Sequence, residues 1–180
     1  MPIQLHTANW DQLPYRIGDT IIHPVHGIGV IIRLEETKQG EQSRLYYVME
    51  IHDKCTLWVP VDAAAKCGLR AVVSASGFGV VSGILSSAAQ PLSEQARERQ
   101  MELDGRFTQG TLEAICSIIR DLSVRGLSKR LNESDAKMLK RARKLLLDEW
   151  VVAMNMAQQE AQNQLSALLH ESAGLSNPPS

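Results

Sequence analysis

The eighteen residues from Val73 to Gln90 carry no charge at all, and the sequence reads differently on either side of them. Before this stretch, short β-branched runs alternate with turn signals. After it, apolar residues recur at helical spacing. A chain punctuated this way is predicted to fold as two small units of different class, a β module followed by an α module.

The β half contains four candidate strands. Asp19–His23 follows the turn pair Gly18-Asp19, and Pro24 to Gly27 breaks the chain. Ile28–Glu36 is rich in Ile and Val, Lys38-Gln39-Gly40-Glu41 supplies a turn, and Arg44–His52 follows. After Asp53-Lys54, Thr56–Pro60 forms the last strand, with Pro60 suited to an end or an edge. So small a sheet must close or cover its edges, which predicts an SH3- or Tudor-like barrel.

The α half is predicted to be a helical bundle. Leu112, Ile115, Ile119 and Leu122 lie on one helical face. Asn132 suits an N-cap with Asp135 at the third helical position, and Met138, Ala142, Leu145, Leu146 and Trp150 continue the apolar set. Gln158–Leu169 reads as a further helix. Ser74–Ser87 combines linker chemistry with Val80, Val81, Ile84 and Leu85, and reads as a junction that enters the first helix. The fold class is α+β in two domains, 15–74 and 75–170, with flexible termini at 1–14 and 171–180.

Charge separates the halves again. Tyr15 to Val72 holds seven basic and seven acidic residues, whereas Arg120 to Lys144 holds nine basic and three acidic. A net +6 within one segment favours contact with phosphates over a merely solvated helix face. Catalytic and metal chemistry find little footing. Motifs of hydrolases and metalloproteases are missing, and no phosphate-binding glycine loop follows Gly27 and Gly29, which read as turn and bulge positions. His23 and His26 lack further ligands and are expected to bond the turn backbone. Three cysteines without CxxC spacing are expected as reduced, partly buried thiols. No cofactor or metal is expected. With no apolar run of about 18 residues and no secretory leader pattern, the expected location is cytoplasmic, on the nucleoid.

Several motifs together resemble the CarD/CdnL family. Gly18-Asp-Thr-Ile-Ile-His-Pro-Val-His-Gly27 resembles its opening, Leu45-Tyr-Tyr-Val-Met-Glu-Ile51 its central strand, and Val59-Pro-Val-Asp62 with Gly68-Leu-Arg70 its closing segment. Ile118–Leu122 and Lys140–Leu146 resemble its helical domain. The resemblance implies a bacterial transcription regulator, not an enzyme, whose Tudor-like domain binds the RNA polymerase β subunit. Its helical domain would contact double-stranded promoter DNA through the phosphate backbone and modulate the stability of the open complex. The same interaction domain occurs in transcription-repair coupling factor, whose helicase motors have no counterpart in these residues.

The polymerase contact is expected on Thr37, Lys38, Thr56, Leu57, Trp58, Val59 and Pro60. The DNA contact is expected on Arg97, Arg99, Lys129, Arg130, Lys137, Lys140, Arg141 and Lys144. One departure stands out: Ala96 occupies the position where the family carries a tryptophan wedge for melted DNA, and alanine cannot stack on a base. A polymerase-binding protein without significant contact to the DNA fork is therefore the alternative.

Overall fold

The computed structural model of the chain describes residues 12–39, 42–51 and 55–176. The β half is a five-stranded antiparallel sheet of β1 (Thr20–His23), β2 (Gly27–Gln39), β3 (Gln42–Ile51), β4 (Cys55–Pro60) and β5 (Arg70–Ala71). Its strand order is β4-β3-β2-β1-β5. The α half comprises α1 (Gly79–Ser86), α2 (Ala96–Gln109), α3 (Leu112–Ser128), α4 (Glu133–Met154) and α5 (Gln158–Ser176).

The sheet is open, which corrects the expectation of a barrel. Among the described residues no ladder joins β4 to β5, and β5 is only two residues long. The inner face is covered instead. Ile21, Ile31, Tyr47, Met49 and Val59 point inward and pack under Ala64 and Leu69 of the β4–β5 connection, with Leu13 and Tyr15 added from the chain start. Tyr15 donates its hydroxyl to the Leu69 carbonyl at 2.9 Å. Leu13, within the terminus expected to be flexible, thus helps to close the core.

A bulge between Ile31 and Arg33 sets the two faces of the long β2–β3 hairpin. The register runs Ile31 opposite Met49 and then Arg33 opposite Val48, leaving Ile32 as the extra residue. Ile31 and Leu34 can then both face the core, while Arg33 turns outward. Gly29 has a different role from the bulge position expected of it. A Cβ there would lie 2.8 Å from the Glu50 carbonyl oxygen, so the close approach of β3 excludes a side chain.

The helices begin where the polar residues place them. The Asn132 side chain accepts from the Asp135 amide at 2.8 Å, and Thr111 does the same for Ala114 at 3.2 Å. Ser74–Ser87 resolves into a single 3-10 turn, Ala75–Phe78, that runs directly into α1. α5 continues to Ser176, past the expected start of a flexible tail at 171, and the buried Ser172 donates to the Ser87 carbonyl at 2.8 Å.

The two halves share one core. Ile22 and Ile28 from β1 and β2 join the helical cluster built on Leu103, Ile115, Ile119, Leu122 and Leu146. Phe78 meets Trp150 with ring centroids 5.5 Å apart. The joint is polar at its centre. Arg70 forms a two-point pair with Glu149, at 2.6 and 2.7 Å, and also donates to the Gly110 carbonyl at 2.8 Å. Glu149 accepts the Val73 amide as well, at 3.0 Å. Buried Pro24 fits between two left-handed glycines, Gly68 (φ 75°) and Gly110 (φ 66°), where an added Cβ would sit 3.0 and 3.4 Å from its ring.

The thiols divide into two kinds. Cys55 and Cys67 are exposed rather than partly buried, whereas Cys116 is buried and desolvation pushes its pKa up to about 12. A thiol reagent such as Ellman's reagent is expected to titrate two cysteines in the native protein and all three in denaturant. Three fast-reacting thiols in the native protein would contradict the buried position of Cys116.

Candidate functional site

Two surfaces gather the residues singled out above, one on each half. The first is the outer face of the sheet at its open edge. Among the described residues β4 is the terminal strand, and one row of its backbone N–H and C=O groups has no neighbouring strand there. Trp58 lies opposite Val48, projects from the outer face and is 40% exposed. Its ring meets Tyr46 edge-on at 6.0 Å and lies beneath the Arg33 guanidinium at 5.6 Å. Arg44 continues the row, with its Cζ 5.9 Å from the Tyr46 ring and a pair to Asp62 at 3.1 Å. This alternation of cation and ring holds Trp58 in place while leaving much of its surface uncovered.

The predicted polymerase residues separate in this geometry. Thr56, Trp58 and the half-buried Pro60 belong to the outer face. Val59 does not: at 3% exposure it points into the sheet core, and Leu57 packs against the same cluster. Strand alternation makes this unavoidable, because neighbours on a strand face opposite sides. Thr37 and Lys38 sit at the far end of the β2–β3 hairpin, two strands away from β4. Arg33, Arg44 and Tyr46, which share this face with Trp58, are not among the residues expected from the sequence. The signal that could have found them is their outward phase, which the bulge at Ile32 shifts for Arg33, whereas Arg44 and Tyr46 keep plain alternation on β3.

The second surface is the solvent face of α4. Lys137, Lys140, Arg141 and Lys144 fall within an arc of about 100° at 100° per residue. All four are exposed. Lys137 pairs with Glu133 at 2.6 Å and Lys144 with Asp148 at 2.5 Å, both one turn away on the same helix. Lys140 and Arg141 have no carboxylate within salt-bridge distance among the described residues. Arg141 lies over Phe107 of α2 at 4.4 Å, which ties this face to α2. Arg97 on α2 and Arg130 just before α4 are exposed as well.

The net charge of the segment overstates this surface. Arg120 is buried against Asp121 at 2.8 Å, and Asp121 also holds Arg106 at 2.8 Å. Arg125 and Lys129 share Glu94, at 3.2 and 2.8 Å. Those two cations hold the Glu94 carboxyl down at about 2. Arg99 is corrected outright as a DNA candidate. It is 4% exposed, pairs with buried Asp135 at 2.9 Å and donates to the Ser93 carbonyl at 2.6 Å. Arg97 and Arg99 are close in sequence, but two residues on a helix turn the side chain by about 200°.

The aromatic inventory of the helical half is equally informative. Its Phe and Trp rings, Phe78, Phe107 and Trp150, are all buried, and Ala96 stands exposed in the first turn of α2. Among the described residues, therefore, no Phe, Tyr or Trp ring on this half is exposed to stack on a base, and the exposed His170 lies on α5, away from the first turn of α2 in sequence. Of the pair His23 and His26, the first bonds the turn backbone as expected: its Nδ1 accepts the amides of Val25 at 3.1 Å and His26 at 3.3 Å, and burial with His26 nearby lowers its pKa, whereas His26 takes part through its own amide. Among the described residues no cluster of three or more metal-ligating side chains occurs, and no helix is long and apolar enough to cross a membrane.

Comparison with known proteins places both halves. Residues 15–73, which include every strand, match the CarD-like/TRCF RID domain model. Residues 80–166, from α1 into α5, match the model of the CarD C-terminal domain. A relative from Bacillus subtilis (strain 168), described as "Putative transcription factor YdeB", is 24% identical over 147 residues, covering 81% of this chain and 96% of that protein. With two successive matches spanning the sheet and the bundle that share one core, the chain belongs to the CarD family of transcription-associated, RNA-polymerase-interacting proteins.

Proposed function

We propose that this protein regulates bacterial transcription by adding the β4 edge of its sheet to the β subunit of RNA polymerase and laying the basic face of α4 on promoter DNA. The observation that carries the reading is β4 itself. Among the described residues it is an edge strand, paired with β3 on one side only, and it carries a partly exposed tryptophan in the module that matches the family's interaction domain. Edge strands accept a partner strand through main-chain hydrogen bonds, and side chains on the outer face supply selectivity. Thr56, Trp58 and Pro60 form this contact with Arg33, Arg44 and Tyr46, and Thr37 and Lys38 extend it along the hairpin.

On the DNA side, Lys137, Lys140, Arg141 and Lys144 contact phosphates, flanked by Arg97, Lys129 and Arg130. Helix-borne Lys and Arg without a recognition pattern read backbone charge rather than base edges. The burial of Phe78, Phe107 and Trp150, the Phe and Trp rings of the helical half, supports contact without a wedge at the fork. In this form the protein modulates open-complex stability through position and charge.

Binding of the full chain to the isolated polymerase β lobe tests the first contact, and its absence at micromolar concentration would sink the reading. A salt titration tests the second. The double variant Lys140→Ala, Arg141→Ala is expected to reduce the slope of log K against log salt on duplex promoter DNA by about 2, one for each phosphate that is no longer neutralised. An unchanged slope would remove α4 as the DNA surface and favour a polymerase-binding protein that makes no significant contact with the fork.

A further inference from the structure

Arginine side chains drawn into this protein are matched by carboxylates. Arg70, Arg99, Arg106 and Arg120 each reach one within 2.9 Å. Arg143, half-buried on α4, does not. Its Nη2 donates to Ser123 Oγ at 2.9 Å, and its buried Nε donates to no protein acceptor. No carboxylate lies within salt-bridge distance of it among the described residues. Burial lowers its pKa, because nothing nearby offsets the loss of solvent. A cation held this way costs stability unless something else completes its shell.

Arg143 also borders two adjoining cavities. One, of about 330 Å³, lies between α3, α4 and α5. Leu122, Leu127, Leu139 and Leu169 form most of its apolar wall, and its polar groups are Ser123 and Arg143, joined by a hydrogen bond, with Ser166 and His170 from α5. Leu127 at its rim is 70% exposed, the highest value among the large apolar residues described. The second, of about 510 Å³, meets Arg143 from the α4–α5 side, where Lys140 and Lys144 line it. Both volumes fall in the range of about 300–1,000 Å³ typical of small-molecule sites, which combine apolar walls with few polar anchors.

We propose that the α3–α4–α5 cavity binds a small amphipathic organic carboxylate, with its head group on Arg143 and Ser123 and its alkyl body along the leucine walls. One guanidinium supplies one charge in a planar fork, which suits a carboxylate monoanion. The leucines require an apolar body, which separates this ligand from inorganic anions. The site is distinct from the β4 edge and does not depend on the polymerase or DNA contacts. An occupied cavity would fix α5 against α3 and α4, next to the basic face of α4.

The test titrates the full-length protein with decanoate and with decanol, by calorimetry and by thermal melting. Decanoate is expected to bind saturably at one site, at least tenfold more tightly than decanol, and to raise the melting temperature. Arg143→Met, which keeps the bulk and removes the charge, is expected to bring decanoate down to the affinity of decanol. Ser123→Ala provides a second variant should Arg143→Met fail to fold, and is expected to weaken decanoate severalfold. Equal affinity for acid and alcohol, or no saturation below the concentration at which decanoate self-associates, would overturn the proposal. So would decanoate binding that neither variant changes.

Discussion

Replacing Glu149 with alanine is expected to lower the melting temperature of the whole chain by about 10 °C. Removing one partner of a buried ion pair costs about 3–5 kcal/mol, because the other charge is left without compensation. In a chain of this size each kcal/mol moves the midpoint by about 2–4 °C. Glu149 is 1% exposed and accepts three hydrogen bonds from the β module, two from the Arg70 guanidinium and one from the Val73 amide. Arg70→Ala should be at least as damaging, since it strands the carboxylate in the same site and frees the Gly110 carbonyl. Joint replacement by Arg70→Met and Glu149→Leu is expected to recover most of the stability, because two apolar groups leave no buried charge. Thermal melts of the four proteins decide the matter. A Glu149→Ala midpoint within about 2 °C of the parent would mean that the joint does not hold the two halves together.

Trp58→Ala is expected to weaken binding to the polymerase β lobe by about thirtyfold, which corresponds to the roughly 2 kcal/mol that marks an interface anchor. The ring is 40% exposed in the free protein, so a partner strand laid beside β4 can cover what remains. Arg33 and Tyr46 contact the ring on the free protein, which reduces the side-chain freedom to be given up on binding. Thr56→Ala, on the same face but with far less area, is expected to change affinity by no more than about twofold. Val59→Ala acts differently. It opens a cavity in the core and should lower stability by about 1–3 kcal/mol with a smaller direct effect on the interface. Binding measured on folded variants separates these outcomes. Unchanged affinity of Trp58→Ala would move the contact away from the β4 edge.

The two arginines at the start of α2 show where sequence reading ends. Composition counts Arg97 and Arg99 as the same charge, but Arg97 faces solvent and Arg99 is locked onto Asp135. The same holds for Arg120, whose partner Asp121 is its neighbour in sequence yet serves a network reaching Gln90 and Arg106. Counting charge in a window sums over directions, whereas contact with DNA needs charge on one face. The barrel expectation failed for a related reason. An edge must be managed, but whether it closes on itself, is covered by a loop or is left for a partner depends on contacts far apart in sequence.

What the sequence determined by itself is local. Strand alternation, helical spacing, the Asn132 cap and the motif set around Gly18–Gly27 and Gly68–Arg70 follow from preferences expressed within a few residues, and they sufficed for the class of each half and for the family. Tertiary structure alone decided that Arg70 meets Glu149 across 79 residues, that Pro24 fits between Gly68 and Gly110, that the sheet stays open at β4 and that Arg143 lacks a carboxylate. Each of these joins groups brought together only when the chain packs. Their energies depend on burial and on distances of a few ångströms, which sequence spacing does not encode.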